Sequence, residues 1–241
     1  MSRPEALYPF LAEEAGDQDT VLAEVTRSTA EKAREIVALR EQVRDRLGGR
    51  IAACADAMAA AFGSGGRLFT FGNGGSSTDA AAVAQLFRHP PPAARPLPAT
   101  SLTADVALLT ALTNDVGFEV VFARQLAAFG RRGDIALALS TSGGSANVLR
   151  GVHEAHRRGM LTVGLAGSGG GAMAEATTID HLFLVPSGSV HRIQEAQTTI
   201  YHVLWELTQQ ALARQPLAQQ ALARRPLAQQ ALARPAPHPE G

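Results

Sequence analysis

The stretch Asp134-Ile-Ala-Leu-Ala-Leu-Ser-Thr-Ser-Gly-Gly-Ser-Ala-Asn147 decides the fold. It opens as an unbroken apolar run of the length of a buried strand. It then breaks into a Gly/Ser/Thr loop, Ser140 to Asn147, that leads into a helical stretch over 145–158. The same order stands upstream, where Arg67-Leu-Phe-Thr-Phe71 runs into Gly72-Asn-Gly-Gly-Ser-Ser-Thr-Asp79 and a helical stretch over 75–87. A strand that passes through a short loop into a helix is the front half of a parallel βαβ unit. The runs do not alternate polar and apolar residues, so both faces of their sheet are covered.

Three more runs complete the series: Pro98 to Leu102, Leu161 to Ala166 and His181 to Val185. Helical stretches over 103–113, 119–129 and 170–176 lie between them. Strand and helix alternate with short connections, which predicts an α/β fold with a doubly wound, five-stranded parallel sheet. Ahead of the sheet, apolar residues from Asp19 to Leu47 recur at spacings of three and four. Gly48-Gly49 then reads as a stop. The Ala-rich stretch Ile51 to Phe62 follows, so an N-terminal helical hairpin or one broken helix is expected. A long C-terminal helix is expected from Val190 into the low 210s.

Beyond it lies a ten-residue repeat. Leu207-Thr-Gln-Gln-Ala-Leu-Ala-Arg-Gln-Pro216 is followed by a second copy ending at Pro226 and a shortened third ending at Pro235. A period of ten with a proline closing every copy excludes a continuous coiled coil. The expected organisation is a tail over 1–18, a domain over 19–212 that includes the N-terminal helices, and a low-complexity tail over 213–241.

Composition limits the function. Of 241 residues 46% are hydrophobic and 18% charged, enough apolar material for a core. Lys+Arg and Asp+Glu are 22 each, so the net charge gives no hold on nucleic acid or an anionic membrane. The single cysteine, Cys54, makes no internal disulfide and no Cys-rich zinc site. No secretory or membrane-spanning segment is read, and a cytoplasmic location is expected.

In a doubly wound sheet, ligands bind outside the carboxyl ends of the strands. The two Gly/Ser/Thr loops sit at such ends. Glycine lets backbone approach an anion, hydroxyls donate, and a helix N-terminus supplies free N–H groups and partial positive charge. Together they predict a phosphate cradle without lysine. The P-loop pattern fails for lack of Gly-Lys-[Ser/Thr], and Ser77 stands where the last glycine of a dinucleotide fingerprint belongs.

Four ordered motifs carry a resemblance: Gly72-Asn-Gly-Gly-Ser76, Asn114-Asp-x-Gly-Phe118, Ser140-Thr-Ser-Gly-x-Ser-Ala-Asn147 and Arg192-Ile-Gln-Glu195. Over about residues 20–212 the chain resembles the sugar isomerase (SIS) domain, a flavodoxin-like fold. Within it the chain is similar to phosphoheptose isomerases, which convert sedoheptulose 7-phosphate to D-glycero-D-manno-heptose 7-phosphate. The resemblance implies that Asn73, Gly74 and Gly75 sit by the sugar. Ser76, Ser140, Thr141, Ser142 and Ser145 would hold the phosphate, and Asn114 and Asp115 would line the sugar site. Gln194 would join the site, with His202 as the acid/base. The implied ligand is a heptose or ketose phosphate and the implied assembly a homotetramer. No cofactor and no metal are expected.

The chain departs from the family at one place. Its isomerases carry His and Glu four apart on the helix after the first loop, where the Glu is the base and the pair completes a zinc site in some members. Here those positions are Ala82 and Leu86. Neither moves a proton or ligates a metal, and the neighbouring Gln85 brings no carboxylate. Aldose–ketose isomerisation needs a base and an acid. His202 can serve as both in turn, with Asp79, Asp115, Glu195 and His89 as substitutes. Three readings therefore stand: a sedoheptulose 7-phosphate isomerase with an altered base, a non-catalytic sugar-phosphate sensor, and an interaction protein that binds a replication initiator.

Overall fold

The computed structural model describes residues 18–232, with side chains from Thr20 to Arg214. The elements follow the order α1 (Gln18–Gly63), β1 (Leu68–Gly72), α2 (Gly75–Arg88), β2 (Ala99–Ser101), α3 (Val106–Asp115), a 3-10 turn (Phe118–Val120), α4 (Val121–Phe129), β3 (Ile135–Ser140), α5 (Ala146–Arg157), β4 (Leu161–Gly167), α6 (Gly171–Glu175), β5 (His181–Val185) and α7 (Val190–Leu232). Residues 1–17 and 233–241, which hold most of the expected N-terminal tail and the end of the third repeat, lie outside the described residues.

All five strands are parallel and stand in the order β2-β1-β3-β4-β5. β1 to β3 are fully in register, Leu68 opposite Ile135 and Gly72 opposite Leu139. The doubly wound α/β expectation is therefore met. Strand side chains alternate between two cores, as the pleat requires. Leu68, Ile135, Leu137, Leu139, Val163, Leu165 and Phe183 pack beneath α1, α2 and α7. Phe69, Phe71, Ala136, Ala138 and Ala166 pack beneath α4 and α5. On β3 the large residues lie on one face and the alanines on the other, leaving room for Phe71 and Phe122, whose rings meet at 5.1 Å.

Two expectations need correction. The N-terminal hairpin is instead one continuous helix, α1, which runs through Gly48-Gly49. Its buried stripe explains why: Leu39, Val43, Leu47, Ile51, Cys54, Met58 and Phe62 continue the three-and-four spacing across the glycines. Each buried side chain contributes about 1.5–3 kcal/mol, which outweighs about 1 kcal/mol for each helical glycine. At the other end α7 does not stop in the low 210s but continues to Leu232, through Pro216 and Pro226. The Ala, Leu, Gln and Arg that fill the repeats are among the strongest helix formers.

The amino ends of β1 and β3 are tied together by charge. Asp134, buried just before β3, accepts from the Arg67 backbone N–H at 2.9 Å, from Arg67 Nη2 at 2.6 Å and from the Arg131 N–H at 3.1 Å. Arg67 also donates to the Phe129 carbonyl at 2.7 Å. The clamp closes the rim of the sheet opposite the two Gly/Ser loops.

Candidate functional site

Strand order 2-1-3-4-5 reverses its winding between β1 and β3, which opens a crevice beyond their carboxyl ends. Both Gly/Ser loops empty into it. The loop after β3 gathers its hydroxyls: Ser140 Oγ lies 3.2 Å from Ser145 Oγ and 3.5 Å from Ser142 Oγ. Ser140 Oγ accepts the Gly143 N–H at 3.1 Å and Ser142 Oγ accepts the Gly144 N–H at 3.2 Å. Ser145 is the N-cap of α5, yet its side chain makes no cap hydrogen bond. A capping hydroxyl turned toward Ser140 leaves N–H groups at the start of the helix for an anion, although the Val148 N–H is taken by Asn147 Oδ1. Thr141 is half-buried, and its carbonyl accepts the Gly167 N–H at 3.1 Å, which fastens the loop to the end of β4.

Gly143, at φ 65°, lies so close to Gly170 that a β-carbon there would collide with the Gly170 carbonyl. The Met173 N–H donates to the Gly143 carbonyl at 2.9 Å. The cradle is thus braced from below by the turn after β4.

The loop after β1 faces it. Gly74 and Gly75 are exposed, Ser76 is buried in the first turn of α2, and Asn73 is half-buried. Asn73 pairs with Asn147 of α5, amide to amide, at 2.8 and 2.9 Å. Beside it lies a cavity of about 190 Å³, whose lining includes Asn73, Gly74, Ser77, Thr103, Leu109 and Phe118.

Gln194 enters from the first turns of α7. Its amide lies directly against Gly75, where any side chain would strike it. Gln194 Nε2 donates to Asp79 Oδ2 at 3.4 Å. Burial pushes the Asp79 carboxyl above its ordinary value, while the Gln194 hydrogen bond pulls the other way. Asp79 is therefore a half-buried acid facing α7 and not a charge in the first helical turn. Nearby Arg192 is held by Glu195 at 2.7 Å and by Glu35 of α1 at 3.2 Å.

Three expected residues stand apart from this cluster. Asn114 and Asp115 are exposed at the end of α3, where Asn114 Nδ2 donates to Asp115 Oδ1 at 2.8 Å, and they do not line the cavity. His202 is exposed, its ring stacked on that of Tyr201 at 5.1 Å. It lies eight residues beyond Gln194, about 12 Å further along the helix axis. Gln194 and the two loops converge within the chain, and His202 does not join them there.

Ala82 and Leu86, where the resemblance implies a zinc pair, do not fit the metal. Ala82 is exposed, Leu86 half-buried, and neither carries a donor atom. Among the described residues no group of three or more His, Cys, Asp or Glu side chains comes together. Zinc takes three or four protein ligands, and Gln194 with His202 falls short of that number.

Sequence reasoning missed two contacts. Asn147 closes a sequence motif, and its partnership with Asn73 across 74 residues has no local signal. The Asp79–Gln194 contact spans 115 residues and depends on how α7 crosses α2.

Comparison with known proteins agrees with this geometry. The SIS domain family matches residues 33–167. A phosphoheptose isomerase of Aquifex aeolicus is 42% identical over 159 residues, 66% of this chain and 82% of that one. A phosphoheptose isomerase of Geobacter metallireducens is 42% identical over 173 residues, 71% and 90% of the two chains. The structure of a phosphoheptose isomerase from Francisella tularensis superposes with a TM-score of 0.72 at 34% identity, covering 77% of this chain and 98% of that one. With a family match over residues 33–167 and these relatives over most of their length, the chain belongs to the SIS domain family, among the phosphoheptose isomerases.

Proposed function

We propose that this chain is a D-sedoheptulose 7-phosphate isomerase that binds the phosphate in the Ser140–Ser145 cradle and the sugar beside Asn73, Gly74 and Gly75. The convergence of the Ser140, Ser142 and Ser145 hydroxyls at the start of α5 carries this reading. Ser76 and Thr141 complete the phosphate side and Gln194 the sugar side, which Asn114 and Asp115, exposed at the end of α3, join in this reading only where copies of the chain meet. Isomerisation removes the proton next to the ketose carbonyl and returns it to the adjoining carbon, while a second proton passes between the two oxygens. His202 is the acid/base of this reading. In this reading the assembly is a homotetramer with sites shared between copies, and the exposure of His202 on α7 is what supports it. The protein works in the cytoplasm; among the described residues no helix is long and apolar enough to cross a membrane.

The deciding experiment is turnover of sedoheptulose 7-phosphate by the purified protein, with His202→Ala as the control. Turnover in the wild type that disappears in the variant is the expected result. Turnover no greater than that of the variant overturns the reading.

Ala82 and Leu86 favour a second reading, a sugar-phosphate sensor that keeps the cradle and has lost the chemistry. Calorimetric binding of sedoheptulose 7-phosphate without conversion distinguishes it. The interaction with a replication initiator has no structural observation of its own in this chain.

A further inference from the structure

The amide pair between Asn73 and Asn147 bridges the crevice and joins the two loops. Asn73 Nδ2 donates to Asn147 Oδ1 at 2.8 Å, and Asn147 Nδ2 returns a bond to Asn73 Oδ1 at 2.9 Å. Asn147 is 3% exposed, whereas Asn73 lines the cavity. The oxygen and nitrogen ends of a carboxamide have nearly the same shape, so a reciprocal pair alone is satisfied equally well with both amides reversed. Here the backbone breaks the tie. The Val148 N–H donates to Asn147 Oδ1 at 2.9 Å. A main-chain N–H in a helix cannot turn round, so the oxygen of Asn147 must face it. Both acceptor sites of that oxygen are then filled, by Val148 and by Asn73. The nitrogen of Asn147 must in turn face the oxygen of Asn73.

The consequence falls on Asn73. Each amide spends one N–H in the pair. Asn73 keeps one N–H and one lone pair, and which edge carries each is set by a residue out of contact with solvent. We propose that Asn147 is a positioning residue that fixes the orientation of the Asn73 amide, so that the free N–H of Asn73 is aimed at a hydroxyl or carbonyl oxygen of the bound sugar. The inference rests on the proposed sugar-phosphate site and adds the element that orients its sugar side. Because the pair also ties the loop after β1 to the start of α5, it holds the sugar contact and the phosphate cradle in one register.

Three variants and two ligands test it. Asn147→Asp keeps an acceptor for the Val148 N–H but cannot donate to Asn73, so two oxygens would face each other. Asn147→Ala removes the pair, and Asn73→Ala removes the contact it serves. Each is expected to weaken sedoheptulose 7-phosphate binding about tenfold, the scale of one hydrogen bond, while affinity for inorganic phosphate stays within about twofold of wild type. The Asn73→Ala/Asn147→Ala double variant should bind no more weakly than the single variants. A merely structural role lowers affinity for both ligands together. Parallel loss of both ligands, unchanged sugar-phosphate affinity in the Asn147 variants, or single effects that multiply in the double variant would each overturn the proposal.

A second measurement does not need the sugar. The Asn73 side-chain amide proton that is bonded to Asn147 should exchange slowly with water in the wild type and fast in Asn147→Ala. Fast exchange in the wild type overturns the pairing. Should Asn147→Ala not fold, Asn147→Asp and Asn73→Ala carry the comparison. Failure of the wild type to bind any sugar phosphate overturns the proposed function and the sugar contact with it, whereas failure confined to the variants overturns the positioning role alone.

Discussion

At the scale of single residues, the site consists of side chains whose ordinary partners have been turned away from them. Ser145 occupies a capping position and does not cap. A hydroxyl donating to a phosphate dianion contributes about 1.5–3 kcal/mol. Ser142→Ala or Ser145→Ala should therefore weaken sugar-phosphate binding roughly ten- to a hundredfold by calorimetry. Ser168, exposed in the turn after β4 at φ 53°, is the control and should have little effect. Loss of binding in Ser168→Ala but not in the other two would move the phosphate to the neighbouring strand end. Asp79 gives a prediction in pH. Burial raises its carboxyl above the ordinary 3.8, so the folded chain holds that proton more tightly than the unfolded chain does. Its contribution to stability is whole below 3.8 and is lost as the pH climbs through the raised value. Asp79→Asn is free of that loss. Melting curves at stepped pH should show the variant gaining on the wild type from 3.8 upward and then levelling off. A difference that stays flat with pH would mean that Asp79 is hydrated in solution.

At the scale of elements, the glycines of α1 and those of the loops behave differently. A β-carbon at Gly48 or Gly49 meets nothing within 4 Å, and both lie inside a helix. Gly48→Ala and Gly49→Ala should each stabilise the protein by about 0.5–1 kcal/mol, read as a higher urea midpoint at unchanged slope. Destabilisation by either would mean that the helix is broken there in solution. The same pair shows where sequence reading fails. Gly-Gly is a local stop signal, and the stripe from Leu39 to Phe62 that overrides it is a tertiary fact. The strands were legible because their apolar runs are short, continuous and followed by loops of distinct chemistry. The clustering of the Ser140, Ser142 and Ser145 hydroxyls was legible because these residues are neighbours in the chain. Asn73 with Asn147, and Asp79 with Gln194, were not, since each pair is made by the packing of elements distant in sequence.

At the scale of the molecule, the repeats carry α7 on to Leu232, and Ala211 and Leu212 of the first copy are buried. Truncation after Arg214 removes no strand and keeps every described side chain of the cluster beneath α1 and α7. The shortened protein should lose less than about 1 kcal/mol in denaturant unfolding, as poorly packed ends do. Precipitation or a changed oligomeric state on truncation would show that the repeats dock. The clamp of Asp134 and Arg67 has a wider meaning when set beside the crevice. The sheet has two rims. One is closed by an ion pair with nearly every acceptor position on the carboxylate filled, and the other is left open for a visitor. Robustness and recognition are thereby lodged at opposite poles, about a strand length apart. Groups at the open pole can be exchanged while the scaffold that presents that pole endures. Such a division lets an old binding platform outlive its first chemistry and be handed a new one.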